Sequence, residues 1–235
     1  SCRSPGMACG VARGADVLLA PTTNILRHPR WGRAQETYGE DPVQLTALGV
    51  AFVQGVQSQG VMASAKHYAA NSIEDTRFDV DVTLDERTLR ELYLPHFEAM
   101  VKEAQVASLM TSYNSVNGEY CSENMELLDI LKAEWGFLGF VESDWIFGTH
   151  DTVKAAKAGL DIEMPVPAIY GAALQKAVES GDVSELEVDR AVRRIIRAQL
   201  CYGLDVEPKV IDESVIESDA HLELARLVAT RAMVL

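Results

Sequence analysis

Phe140-Val141-Glu142-Ser143-Asp144-Trp145 is a short apolar run that ends in a carboxylate and is closed at once by an indole. A carboxylate at the carboxyl end of a buried strand stands where parallel α/β folds place their chemistry. The same placement recurs three times. Lys66-His67 follow Val61-Met62-Ala63-Ser64-Ala65, Tyr113-Asn114 follow Ser108-Leu109-Met110-Thr111-Ser112, and Glu163 follows Leu160-Asp161-Ile162. With Ala15 to Ala20 these make five strand-like runs separated by helix-like segments, which predicts a parallel sheet with helices outside it.

The intervening segments carry helix signals. Asp41-Pro42 reads as an N-cap with proline at the first helical position, opening a helix to about Ser58. Thr83 and Glu86 predict a capping box for a helix to about Glu103, with Leu84, Leu92 and Phe97 facing inward. Further helices are expected over Met125 to Trp135, Tyr170 to Glu179, Leu186 to Leu200 (opened by Ser184 and Glu187) and Ala220 to Ala232. Long polar loops, Thr22 to Glu40 and Asn71 to Asp81, stand directly after strands, and loops of that length in a compact domain are usually functional. The repeated unit predicts a (β/α) TIM-like barrel. Five strands fall short of eight, so the barrel is expected to be incomplete.

Composition narrows the partners. At 235 residues and 48% apolar, the chain can bury one sizeable core. A formal charge of −14 speaks against nucleic acid and anionic membrane surfaces, which need a basic patch, and no run is long enough to span a bilayer. Cys2, Cys9, Cys121 and Cys201 show neither CxxC nor paired Cys/His spacing, so no metal site is expected. Cys9 and Cys121 read as small buried hydrophobes. The opening Ser1-Cys2-Arg3 has no initiator methionine and no secretion signal, and suggests a processed or truncated piece.

The strand-end residues suggest carbohydrate chemistry. Asp144 suits a nucleophile or base, with Trp145 beside it as a flat surface for a sugar ring. Lys66 and His67 suit sugar hydroxyls, or hold a carboxylate ionised. Strand alternation allows only one of the two to face the barrel mouth directly. Arg33 presents a planar donor fork, with Glu36 or Glu40 to fix it. Glu142 lies on the same side of its strand as Asp144, one layer deeper, and is expected either to pair with Lys66 or Arg33 or to have a raised pKa.

Lys66-His67-Tyr68-Ala69-Ala70-Asn71, Met110-Thr111-Ser112-Tyr113-Asn114, Ser143-Asp144-Trp145 and the block from Gly32-Arg33 to Asp41-Pro42 occur in that order. Together they resemble the N-terminal barrel domain of family 3 glycoside hydrolases, in particular its β-glucosidases, over roughly Gly14 to Gly203. The resemblance implies that Asp144 is the catalytic nucleophile of a retaining, exo-acting β-glycosidase. It implies that Arg33, Lys66, His67 and Tyr113 hold the sugar, that Met110 and Trp145 line its subsite, and that no cofactor is needed. Tyr113 is further expected to hold the Asp144 carboxylate ionised by hydrogen bonding. Residues 1–203 would be a partial barrel domain, and 204–235 a linker and the start of an α/β sandwich domain. In the β-glucosidases of this family that sandwich domain supplies the acid/base Glu. An Asp-Gly-Pro-like segment, whose Asp binds sugar hydroxyls in the family, is not found upstream. Nothing in the family pattern makes Glu119 or Glu163 a replacement acid.

Other readings leave their own marks. Family members acting on N-acetylglucosamine carry a Lys-His-Phe-Pro-Gly-His-Gly type segment, where this chain has Ala69-Ala70-Asn71. A non-catalytic, sugar-binding or vestigial barrel would follow from a missing acid. A metalloenzyme using His67, Asp144 and Glu163 fits the residue types but lacks paired-ligand spacing.

Overall fold

The computed structural model describes residues 14–205 and 212–233. Cys2 and Cys9 lie outside them. Along the chain, β1 (Val17–Leu18) is followed by helix α1 (Pro42–Ser58), where Asp41 caps the first turn by accepting from Val43 N–H at 2.9 Å. Strand β2 (Met62–Tyr68) leads through a long loop to β3 (Asp81–Val82). Helix α2 (Glu86–Thr88) then widens into a π-helical turn, Leu89–Tyr93, and α3 (Pro95–Lys102) completes the layer. After β4 (Ser108–Thr111) come β5 (Ser115–Val116), β6 (Glu119–Tyr120) and α4 (Met125–Asp129), which again widens into a π-helical turn at Ile130–Glu134. Strand β7 (Phe140–Glu142) precedes α5 (Thr152–Ala158), α6 (Gly171–Ser180), α7 (Glu185–Cys201) and α8 (Asp219–Ala232).

The main sheet is parallel in the order β1-β2-β4-β7, with Val17 opposite Met62, Ser64 opposite Ser108, and Met110 opposite Glu142. Every residue of β4 and β7 is buried, as expected of parallel strands covered on both faces. The α/β architecture is thus as expected, but the described residues make an open arc and not a closed barrel. The expected fifth strand, Leu160 to Glu163, is reduced to a single bridge between Glu142 and Ile162. A buried ion pair holds that segment in place. Lys132 lies 2.8 Å from the Asp161 carboxylate, which also accepts the Val141 N–H at 2.7 Å. Burial pulls the Lys132 ammonium down to about 8, against the pull of Asp161. Gly139, just before β7, is fixed by crowding: a Cβ there would sit 2.2 Å from the Ala107 carbonyl oxygen.

Three details differ from the sequence reading. Asp85, not Thr83, caps α2, accepting from Thr88 N–H at 2.9 Å. The π-helical turn and Pro95 break the expected continuous helix, which changes the face and leaves Leu92 39% exposed. Helix α5 carries no strong apolar stripe and was not foreseen. Its signals are local: the Asp151 cap at its start and left-handed Gly159 (φ 103°) at its end. The short sheet of β3, β5 and β6 was also missed, because two-residue strands carry no readable alternation. That sheet pins the long loop after β2 beside the carboxyl ends of the main strands.

Tyr68 joins the sheet to two helical segments. Its ring packs edge-on against Phe97 at 5.3 Å and Trp135 at 6.0 Å, and its hydroxyl donates to the Leu127 carbonyl at 2.8 Å. Phe97 and Tyr68 are both fully buried. Phe97→Ala should therefore destabilise the fold by about 3–5 kcal/mol, read as a lower midpoint in urea unfolding. A change under about 1 kcal/mol would show that the layer repacks freely.

Candidate active site

Strand alternation alone would send Lys66 and His67 to opposite faces. The pairing of β2 with β4 shifts register between Ala65 and Tyr68, and such an irregularity re-aims side chains. Both residues consequently face the region of Asp144. His67 Nε2 lies 3.5 Å from Asp144 Oδ2, and the Lys66 ammonium is close enough to act on the charges of Asp144, Glu36 and Glu142. The expectation that only one would reach the barrel mouth is corrected.

Asp144 is buried. Its Oδ1 accepts the Trp145 backbone N–H at 2.7 Å, while Oδ2 is buried without a hydrogen-bond partner. Tyr113 stands beside the carboxylate and holds its pKa down, as expected, while its hydroxyl donates to the Trp145 carbonyl at 2.9 Å. Burial pushes the Asp144 pKa up, opposed by the Trp145 N–H, Tyr113, Arg33 and Lys66. The loop that follows is folded tightly over this residue. A Cβ at Gly148 would meet the Asp144 carbonyl oxygen at 2.4 Å and its nitrogen at 2.8 Å, so only glycine fits.

The charge state of His67 follows from its neighbours. Arg33 Nη1 donates to His67 Nε2 at 2.8 Å, and a guanidinium has no acceptor, so Nε2 carries no proton. The proton sits on Nδ1, 3.2 Å from Asn24 Oδ1. Burial lowers the imidazole pKa well below its ordinary value, reinforced by Arg33, Lys66 and Arg77. The contact with Asp144 is therefore not an ion pair. Asn24 also accepts the His67 backbone N–H at 2.9 Å and donates to its carbonyl at 2.8 Å, clamping the residue from three sides.

Arg33 is fixed by Glu36 and not by Glu40. Its Nε and Nη2 reach the two Glu36 oxygens at 2.9 and 2.7 Å, a fork-to-fork pair that holds the guanidinium plane. Burial acts against the charge on Arg33, but Glu36 outweighs it and the pKa is raised. The backbone of Lys66 bonds to Pro21 and Thr23, its ammonium makes no hydrogen bond or ion pair among the described residues, and burial followed by the nearby Arg33 lowers its pKa. Glu142 pairs with neither cation; its Oε1 lies 2.5 Å from Ser64 Oγ. The alternative expectation holds, since burial carries its pKa up to about 7. Met110 is buried at the register position opposite Glu142, and Trp145 is half-buried.

The remaining candidates are occupied elsewhere. Glu163 accepts the backbone N–H groups of Ile169 and Tyr170 at 2.9 and 2.7 Å, a structural use. Glu119 forms an exposed ion pair with Lys154. With Glu163 turned away and His67 Nε2 facing Arg33, the trio His67, Asp144 and Glu163 does not form a ligand set, and no metal-holding group of three occurs among the described residues. Sequence reading missed Asn24, because an asparagine in a polar turn is ordinary. It also missed Arg77, which lies over the Tyr113 ring, and Phe78, which packs edge-on against it, at 4.7 Å each. In nitrogen NMR spectra at about pH 6, where an ordinary histidine is largely protonated, His67 should show a neutral ring with its proton on Nδ1. Asn24→Asp should raise its pKa by placing a carboxylate against Nδ1. A protonated ring in the unsubstituted protein would overturn this assignment.

Comparison with known proteins bears on the family and the fold. A model described as the glycosyl hydrolase family 3 N-terminal domain matches residues 9–198. A β-glucosidase of Rhizobium radiobacter is 51% identical over 79% of this chain and 23% of its own length. Thermostable β-glucosidase B of Acetivibrio thermocellus is 45% identical over 95% of the chain and 29% of its own length. Among solved structures, β-glucosidase 3B of Thermotoga neapolitana in complex with α-D-glucose superimposes with a TM-score of 0.85 at 39% identity, covering 92% of this chain and 31% of that one. A Kluyveromyces marxianus β-glucosidase gives 0.87 at 37% identity, covering 94% and 28%. The chain spans between a fifth and a third of the length of these relatives. With the family model matching most of its length, the chain belongs to the glycosyl hydrolase family 3 N-terminal domain family.

Proposed function

We propose that this chain is the nucleophile-bearing domain of a retaining, exo-acting β-glycosidase that removes terminal β-linked glucose or a related sugar. One observation carries the reading: a buried carboxylate has one oxygen pinned by a backbone N–H and the other left without a hydrogen bond. In the proposed reaction Asp144 Oδ2 attacks the anomeric carbon as the bond to the leaving oxygen breaks, giving a covalent glycosyl-enzyme. Water then displaces the carboxylate and regenerates it. Arg33, Lys66, His67 and Tyr113 hold the sugar hydroxyls, and Met110 and Trp145 line the subsite. Neutral His67, its Nε2 lone pair engaged by Arg33, acts on the sugar by orienting that guanidinium, while Lys66 offers donors. Such contacts accelerate the reaction where they strengthen as the ring flattens.

The leaving oxygen needs a proton from a second carboxyl group about 5 Å from the nucleophile. Glu163 and Glu119 are engaged elsewhere. We assign this role to a Glu of a following α/β sandwich domain, with residues 1–203 as barrel domain and 204–235 as linker and sandwich start. The names of the relatives, all β-glucosidases, and the glucose bound in the Thermotoga structure support the substrate class.

A fluoride leaving group needs little acid help, so 2-deoxy-2-fluoro-β-glucosyl fluoride isolates the nucleophilic step. Intact mass and peptide mapping should place a single adduct on Asp144, and Asp144→Asn should abolish it. A folded protein that binds glucose but forms no adduct would be a sugar-binding domain instead.

A further inference from the structure

Glu142 is a carboxyl group within reach of the Asp144 charge that the proposed reaction leaves unused. It is 3% exposed, and its neighbours in the sheet are serines: Ser64 Oγ lies 2.5 Å from Glu142 Oε1 and 3.3 Å from Ser108 Oγ. Ser64 and Ser108 are fully buried. The Ser64 hydroxyl has one proton for two acceptors, so one of its contacts must be donated to it. An ionised carboxylate at this depth requires a cation in contact or more donors than the hydroxyls of Ser64 and Ser108 supply, and burial outweighs both. Every charged group around it has another engagement or lies beyond ion-pair distance. Lys66 of β2 is within electrostatic reach but forms no ion pair with Glu142 among the described residues, and Asp144, after β7, adds a like charge. On the bridged segment, Asp161 is held by Lys132 and Glu163 by backbone N–H groups. Arg194 of α7 donates to the Phe137 and Gly139 carbonyls.

We propose that Glu142 is a positioning residue held as the neutral acid, donating to Ser64, which in turn donates to Ser108, so that Lys66 stays free to face Asp144 and the sugar. The role of Lys66 in this inference rests on the glycosidase reading; the proton on Glu142 does not. The direction of the pKa, up to about 7 because of burial, agrees with the geometry. Deprotonation would place a second negative charge beneath the nucleophile and draw Lys66 inward. The folded state keeps a proton that the unfolded chain releases near pH 4.3. Glu142 therefore favours folding below that pH, and this contribution is lost as pH rises toward about 7.

Infrared difference spectra of the intact protein against Glu142→Gln test the proton directly. Near pH 6, the unsubstituted protein should show the carbonyl stretch of a protonated carboxylic acid, lost on raising the pH and missing from the variant. No such band, or a band that survives in the variant, overturns the proposal. The functional part is read as the rate of Asp144 glycosylation by the fluorosugar fluoride against pH, a step that needs no acid. That rate should fall in the unsubstituted protein as pH rises through about 7, and the fall should be absent in Glu142→Gln. An identical pH profile in both overturns the positioning role. A band without any glycosylation would support the neutral acid and overturn only the glycosidase reading.

Discussion

A carboxylate oxygen buried without a hydrogen bond is the constraint on which the rest of this site depends. Leaving Asp144 Oδ2 unpartnered carries a desolvation penalty of about 1–3 kcal/mol or more, because the group is charged. The surroundings offset this without satisfying the atom. Trp145 N–H takes the other oxygen, and the positive charges of Arg33 and Lys66 act on the carboxylate from outside hydrogen-bond range. The two nearest side chains able to quench Oδ2 are committed elsewhere. Tyr113 gives its proton to the Trp145 carbonyl, and His67 has no proton on the nitrogen that faces the acid.

Those commitments form a chain of positioning contacts that runs outward from the strand ends. Glu36 fixes Arg33 through two parallel bonds, Arg33 sets the tautomer of His67, and Asn24 holds the same ring and backbone from the opposite side. The contacts of Arg33 and Asn24 with His67 join the polar loop after β1 to the end of β2, so that loop belongs to the site as much as the strands do. On the other flank Gly148 lets the segment after Asp144 fold back within contact of its own backbone. Asp144 is thereby held between two loops, on a sheet that brings Ser64, Ser108 and Glu142 together.

Several layers of this arrangement were legible in the residue order. The Asp41-Pro42 start of α1 and the Ser184/Glu187 start of α7 were readable because capping is local chemistry within four residues. The burial of β2, β4 and β7 followed from short apolar runs. The failures have equally specific causes. Leu92 was placed inside because a period of 3.6 was carried through a π-helical turn and a proline that change it. The strand at Leu160 was overestimated: it meets β7 through one bridge at Ile162, with the Lys132–Asp161 pair beside it, an ion pair that no local pattern encodes.

The sequence by itself determined the alternation of strands and helices, the polar residues Lys66, His67, Tyr113 and Asp144 at strand ends, and Arg33 in the loop after β1. These are properties of neighbouring residues and of side-chain chemistry. Only the tertiary structure decided what each member does. It gave Arg33 to Glu36, brought Lys66 and His67 to one face through a register shift, turned Tyr113 to the Trp145 carbonyl and left Glu142 among serines. The physical reason is that protonation and hydrogen bonding depend on distances of a few ångströms between segments far apart in the chain. Arg33 and His67 are 34 residues apart, and Ser64 and Glu142 are 78 apart. No local pattern encodes those separations; the folded packing sets them.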